Sequence, residues 1–155
     1  MEIIDQELLD RLSEQARLAP RLRKNHNLHT ADDSRCHRLL NAIEPDSYIR
    51  PHRHLSQDKD EAFVLLRGTL GVVTFNDEGE IMESVKLTAG RGAVAADIRH
   101  GVFHSAVSLE PGTVFFEAKA GPYQPLAPQE LAPWAPEEGF HEGRVYLEKL
   151  RALFT

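Results

Sequence analysis

Downstream of residue 60 the chain is cut into short pieces by turn signals at regular intervals. Arg67-Gly68, Asn76-Asp-Glu-Gly79, Ala89-Gly-Arg-Gly92 and Glu110-Pro-Gly112 each gather residues that favour chain reversal. Asn76 to Gly79, set between two apolar stretches, is a strong hairpin signal. The pieces between the signals, residues 61–66, 69–75, 81–87, 93–98, 102–109 and 113–119, have the length of strands. Short strands with regular turns imply an all-β sandwich or barrel. Upstream, the chain turns β-like at Cys36. An apolar segment covers 38–43, Glu44-Pro-Asp-Ser47 reads as a turn, and 48–54 as a strand. Pro51 cannot donate to a ladder, so that strand belongs at an edge or an irregular place.

Two flanks differ from this pattern. Ile4, Leu8, Leu12 and Ala16 recur at helical spacing, with Leu9 widening the stripe, and predict an amphipathic helix over 4–19. Asp5 is its expected N-cap and Pro20 its expected stop. So short a helix must pack on the body of the protein or on a second subunit. Beyond residue 120, Pro122, Pro125, Pro128, Pro133 and Pro136 predict an extended wrap anchored by Trp134 and Phe140. A short C-terminal helix follows over 143–153, with Val145, Leu147, Leu150 and Leu153 apolar. The expected organisation is one domain over 1–155, with the barrel core in 36–120 and the wrap and C-terminal helix in 121–155.

Charge and composition narrow the function classes. A net charge of -6 argues against nucleic acid as partner. No apolar run has the length of a membrane span, and the first residues lack a signal-peptide pattern. The single cysteine, Cys36, excludes an internal disulfide framework and is expected to be a buried thiol in a reducing compartment. These features imply a soluble, cytoplasmic protein.

The chemistry concentrates in residues 51–68. His52 and His54 are two apart, so on a strand both imidazoles share a face. Glu61 follows a polar loop, 55–60, that is expected to turn the chain back and pair its strand with that of the histidines. Two imidazoles and a carboxylate make a mixed N/O site for a divalent metal. His104 lies downstream in Arg99-His-Gly-Val-Phe-His104-Ser.

Pro51-His-Arg-His54, then Glu61 and Gly68, resembles the first signature of the cupin superfamily. Asp97-Ile-Arg-His-Gly-Val-Phe-His104 resembles the second, with Gly101 at the turn glycine, although Arg99 stands where proline is usual. The spacer before Glu61 is longer than the common form. The resemblance implies a cupin double-stranded β-helix, a jelly-roll barrel with short N- and C-terminal helices. It also implies one divalent metal ion (Zn, Fe, Mn, Ni or Co) held by His52, His54, Glu61 and His104. Asn25-His-Asn-Leu-His29, Val114-Phe-Phe-Glu-Ala-Lys-Ala-Gly-Pro-Tyr123 and Ala132-Pro-Trp-Ala-Pro-Glu-Glu-Gly139 are further similar to the WbuC family of cupin metalloproteins. That family is associated with gene clusters for surface polysaccharide.

Several side residues remain open from the sequence. Glu117 and Lys119 share one strand face with Phe115. Facing inward, Glu117 is a candidate acid/base and Lys119 a substrate contact; facing outward, both are surface charges. Tyr123 either overhangs the cavity as a second catalytic candidate or caps the core. Arg21, Arg23 and the histidines His26 and His29 either form a solvated surface or an anion site at the barrel mouth, for a sugar phosphate for example. Cys36-His37 has no second pair to complete a metal site. His100 is expected at the rim.

The leading expectation is a metal-binding cupin that binds, isomerises or epimerises a carbohydrate-derived small molecule, with Glu117 or Tyr123 moving a proton. The alternatives are a non-haem iron dioxygenase and a non-catalytic ligand-binding or regulatory cupin. Residues 62–66 are apolar at every position, so both strand faces should be covered, one by the barrel core and the other by a second subunit or the N-terminal helix; a homodimer is expected.

Overall fold

The computed structural model describes every residue, Met1–Thr155. Eight strands form two antiparallel sheets: β1 (Arg23–Asn27), β2 (Cys36–Ile43), β3 (Glu61–Arg67), β4 (Thr69–Phe75), β5 (Ile81–Thr88), β6 (Ala95–Ile98), β7 (Phe103–Ser108) and β8 (Thr113–Ala120). The larger sheet runs β1-β2-β8-β3-β6 and the smaller β5-β4-β7. Facing each other, they make the cupin double-stranded β-helix. Ile43, Phe63, Leu65, Leu70, Val72, Leu87, Ile98, Ala106 and Phe115 fill the space between them.

Each sheet also carries a helix on its outer face. α1 (Gln6–Leu18) begins where Asp5 accepts a hydrogen bond from the Leu8 amide at 2.9 Å. That cap sets the start two residues later than the apolar spacing implies, leaving Ile4 outside the helix and exposed. Leu8, Leu9, Leu12 and Ala16 pack on Leu40, Ala42 and Val114 of the large sheet. Each leucine so buried contributes about 1.5–3 kcal/mol. On the small sheet, Val73, Phe75, Phe103 and Val107 meet Ala132, Ala135, Leu147 and Leu150 of the proline-rich wrap and α2 (His141–Arg151). No helix is long and apolar enough to cross a membrane.

Five expectations are corrected. The sequence does not announce β1 as a strand, because Arg23-Lys-Asn-His-Asn27 has no apolar residue to show an alternation; it forms the edge of the large sheet beside β2. The barrel's sheets therefore begin before residue 36. Residues 48–54 form no continuous strand: only His52 makes a bridge, to His104 on one side and Leu131 on the other. Phe140 does not anchor the wrap; it precedes α2 in extended backbone and is exposed, while Ala132, Ala135 and Trp134 make the contact. Cys36, at the start of β2, is exposed. Finally, β3 is covered on its outer face only in part: α1 reaches Leu66, whereas Val64 stays 38% exposed.

Candidate metal centre

His52 and His104 face each other across the isolated antiparallel bridge. The His52 amide donates to the His104 carbonyl at 3.0 Å, and the His104 amide to the His52 carbonyl at 2.8 Å. Directly opposed residues point their side chains to one face, and the two rings lie 4.6 Å apart. His54, two residues on, joins them on that face. Glu61 comes from the opposite side of the barrel. Its strand pairs with β8 and β6, not with the histidine segment, so the polar loop 55–60 crosses between sheets instead of closing a hairpin. The carboxylate nevertheless enters the cluster, and the four ligand atoms lie within 4.8 Å of one another. Two bonds of about 2.0–2.2 Å to a shared cation span nearly this distance.

The hydrogen bonds around the rings test whether these residues suit a cation. His52 Nδ1 lies 3.1 Å from the Arg50 carbonyl, and His104 Nδ1 lies 2.9 Å from the Val102 carbonyl. A carbonyl accepts only, so both Nδ1 atoms carry the proton and both Nε2 atoms turn a lone pair inward. His104 Nε2 then faces the Glu61 carboxylate at 2.9 Å, acceptor against acceptor. His54 Nε2 is buried without a hydrogen-bond partner, 3.5 Å from the other Glu61 oxygen. Burial, aided by the neighbouring His104 ring, pushes the His52 pKa down to about 3, which keeps it neutral as a ligand must be. For Glu61, burial works against the carboxylate. The adjoining His104 and His54 rings and the charge of Lys119 outweigh it and hold Glu61 well below the usual range. Three imidazoles and one carboxylate thus fit a divalent cation.

Next to this cluster lies a second one. Glu117 and Lys119 both face inward from β8. Lys119 Nζ sits 2.8 Å from Glu61 Oε1 and 2.6 Å from Glu117 Oε1, bridging the two carboxylates. Burial disfavours the ammonium, but the two carboxylates prevail and raise the Lys119 pKa. Burial and the negative charge of Glu61 push Glu117 up to about 7, against the opposing pull of Lys119. Asn41 on β2 completes the group by donating from Nδ2 to Glu117 Oε2 at 2.7 Å. All of these, except His54, line one cavity of about 670 Å³, within the range of small-molecule sites.

The mouth holds the remaining candidates. Tyr123 lines it but is 59% exposed and makes only a backbone bond, to Asp32. His29 is buried and stacks on His37 with ring centroids 4.0 Å apart. Arg23 is spent: its guanidinium holds Glu138 at 2.6 Å and the Tyr48 carbonyl at 2.9 Å. Arg21, 3.9 Å from Glu138, is largely exposed at the rim. His26 points away from the site and meets Glu2 at 2.7 Å. His100, expected at the rim, does not line the cavity and is bound to Asp60. The Ser105 hydroxyl is committed to the Ile49 carbonyl. Sequence reasoning missed Asn41 and His37 as cavity residues. The only signal for either is strand register: Asn41 and His37 lie opposite Phe115 and Lys119 of β8.

A family model described as a domain of unknown function, DUF6016, matches residues 4–87, more than half of the chain. The chain belongs to the DUF6016 family. No curated protein matches this DUF6016 chain. Among solved structures it is similar to the TT1209 protein from Thermus thermophilus, at 24% identity and a TM-score of 0.53, over 77% of this chain and 97% of that one. It is also similar to the conserved SPY1581 protein of unknown function from Streptococcus pyogenes, at 9% identity and a TM-score of 0.53, over 79% and 90%. KdgF from Halomonas sp. aligns at 20% identity and a TM-score of 0.50, over 69% and 85%. At these identities the likeness is one of fold. The DUF6016 match ends at the close of β5, so Glu61 and the two early histidines lie inside it and His104, Glu117 and Lys119 beyond it.

Proposed function

We propose that this protein is a metal-dependent cupin that binds a carbohydrate-derived small molecule and isomerises or epimerises it. One observation carries the reading: Glu117 is a buried carboxyl held near neutrality, joined to the ligand cluster through a single lysine, in the same cavity. A carboxyl that can be found in either protonation state at neutral pH suits proton transfer. A divalent cation held by His52, His54, Glu61 and His104 supplies a Lewis acid for a carbonyl or vicinal hydroxyls. Glu117 takes the proton from the carbon beside the carbonyl; for isomerisation it returns it to the former carbonyl carbon while the hydroxyl proton passes between the two oxygens, and for epimerisation it keeps that proton while a donor on the opposite face, for which Tyr123 is the candidate, supplies another. No oxidant or reductant is needed. Lys119 stabilises the ionised form of Glu117, and Asn41 fixes the carboxyl plane. The similarity of the flanks to the WbuC family supports surface-polysaccharide precursors as the source of the substrate. Tyr123 and Arg21 at the rim, with His29 and Lys119 inside, are its remaining proposed contacts.

The test is carbon-bound hydrogen exchange. The metal-loaded protein is incubated in D2O with a panel of nucleotide sugars and sugar phosphates, and deuterium wash-in is followed by NMR. Wash-in that is lost in Glu117→Gln, with metal content unchanged, is the expected result. No wash-in with any member of the panel overturns the reading. Oxygen uptake after anaerobic iron loading would instead favour the dioxygenase, and stoichiometric binding without turnover a regulatory role.

We further infer that two copies associate through the outer face of the large sheet. There, register places Arg38, Ala118, Ala62 and Asp97 in one row across four strands. The row is flat and small in the middle, with opposite charges at its ends. A two-fold axis between Ala62 and Ala118 brings Arg38 to the partner's Asp97 and buries Val64.

A further inference from the structure

The inner face of β1 and β2 carries a row of side-chain amides that the proposed chemistry does not use. Register sets Asn25 opposite Asn41, and Asn27 opposite Leu39, which in turn faces Glu117. Period-two alternation therefore places Asn25, Asn27, Asn41 and Glu117 on one side, and all four line the cavity. Two internal bonds orient the row: Asn25 Nδ2 donates to Asn27 Oδ1 at 2.7 Å, and Asn41 Nδ2 to Glu117 Oε2 at 2.7 Å. Those bonds leave capacity of both kinds. Asn25 keeps an acceptor and one N–H, Asn27 keeps its amide N–H groups, and Asn41 keeps its oxygen.

The charges along this wall are already compensated. Lys119 lies between Glu61 and Glu117, and Arg23 is held by Glu138. What the wall offers a ligand is alternating donors and acceptors without free charge. Hydroxyl groups, which both donate and accept, complement such a surface, and a run of them on adjacent carbons complements the row. A phosphate or carboxylate finds no unpaired cation on this face of the row; at the mouth, Lys24, which alternation turns to the other face of β1, has no ion-pair partner, and Arg21 lies 3.9 Å from Glu138.

We infer that the β1–β2 amide row is a binding site for an uncharged polyhydroxylated group, a sugar or sugar alcohol, lying along the wall with one end toward the His52–His104 cluster. The inference rests on reading this cavity as the substrate cavity, and it assigns the neutral, hydroxyl-bearing part of the ligand to this wall. Asn25 and Asn27 are solvent-exposed at the mouth, so truncating them leaves the core intact.

The experiment titrates the full chain with D-mannose, D-galactose and sorbitol, followed by saturation-transfer NMR and calorimetry, both metal-loaded and in EDTA. At least one of the three binds, inorganic phosphate does not displace it, and the Asn25→Ala/Asn27→Ala double variant weakens it tenfold or more with unchanged metal stoichiometry. The inference is overturned if none of the three binds, if phosphate competes, or if the double variant binds as the parent does. Amide-dependent polyol binding by a protein that takes up no metal supports this site while removing the metal reading. Metal uptake with polyol binding indifferent to the asparagines does the reverse.

Discussion

The backbones of His52 and His104 exchange both of their hydrogen bonds, at 3.0 and 2.8 Å, although the segment around His52 forms no other regular pairing. The main chain thus sets these two imidazoles side by side on one face. Backbone already paired lowers the cost of ordering ligands on binding.

The protein is therefore expected to bind one equivalent of a divalent cation. At a free metal concentration of a hundred times the dissociation constant, stability should rise by about 2.7 kcal/mol. Thermal melts with and without EDTA, alongside elemental analysis, measure this. His104→Ala should abolish both the bound metal and the stabilisation. Retention of stoichiometric metal in that variant contradicts the assigned ligand set.

Glu117 sets a pH dependence of stability in the metal-free protein. Its folded pKa, about 7, lies above the ordinary carboxylate value of 4.5, so the folded state holds a proton that the unfolded state has released between those values. Stability from this group is present below pH 4.5 and is lost as pH rises toward 7. His52 acts oppositely. Its pKa of about 3, depressed from 6.5, makes stability fall as pH drops from 6.5 toward 3. Comparing the parent with Glu117→Gln isolates the first effect. Between pH 4.5 and 7 the parent should lose roughly 1–3 kcal/mol relative to the variant, one pKa unit being about 1.4 kcal/mol. Urea denaturation at the two pH values gives the difference.

Arg23 ties the edge strand to the C-terminal wrap. It is largely buried, and burial lowers its pKa while the bonds to Glu138 restore part of the loss. Glu138→Gln keeps the shape and removes the charge that compensates the guanidinium. A cost of about 1–3 kcal/mol is expected, the usual range when a buried group loses its charged partner. Chemical denaturation reads it directly. An unchanged midpoint would show that the Glu138 pair adds nothing to the hold that β2 and α1 already have on β1.

The site was more legible than the path that builds it. His52 and His54 declare a shared face because side-chain period is two whatever the backbone pairing. Glu61 and His104 followed from the spacing of the cupin signatures. The sequence around the loop 55–60 does not say whether the chain reverses within a sheet or crosses to the other, and here it crosses. β1 was illegible because a strand lining a polar cavity on one face and solvent at its edge needs no apolar residue. Asn41 went unseen for a related reason: its meaning lies in its bond to Glu117, 76 positions away, which only register reveals. Phe140 misled because aromatic residues usually bury, whereas a residue just before a helix can be turned outward by its extended backbone.

The proposed dimer makes a charge-reversal prediction. Arg38 and Asp97 are both exposed, at opposite ends of a row whose middle is Ala118 and Ala62. About a two-fold axis the pair occurs twice, so Asp97→Arg creates two like-charge contacts at once. Like charges across an interface are strongly unfavourable. The dissociation constant should therefore rise on the order of tenfold or more. Arg38→Asp combined with Asp97→Arg restores complementarity with the signs exchanged, and should recover the dimer, as no merely destabilising change would. Equilibrium sedimentation of the parent, the single variant and the double variant distinguishes the outcomes. A parent that sediments as a monomer at micromolar concentration removes the dimer. A dimer indifferent to Asp97→Arg moves the interface to another face and leaves Val64 a solvent-exposed residue of a sheet that α1 only half covers.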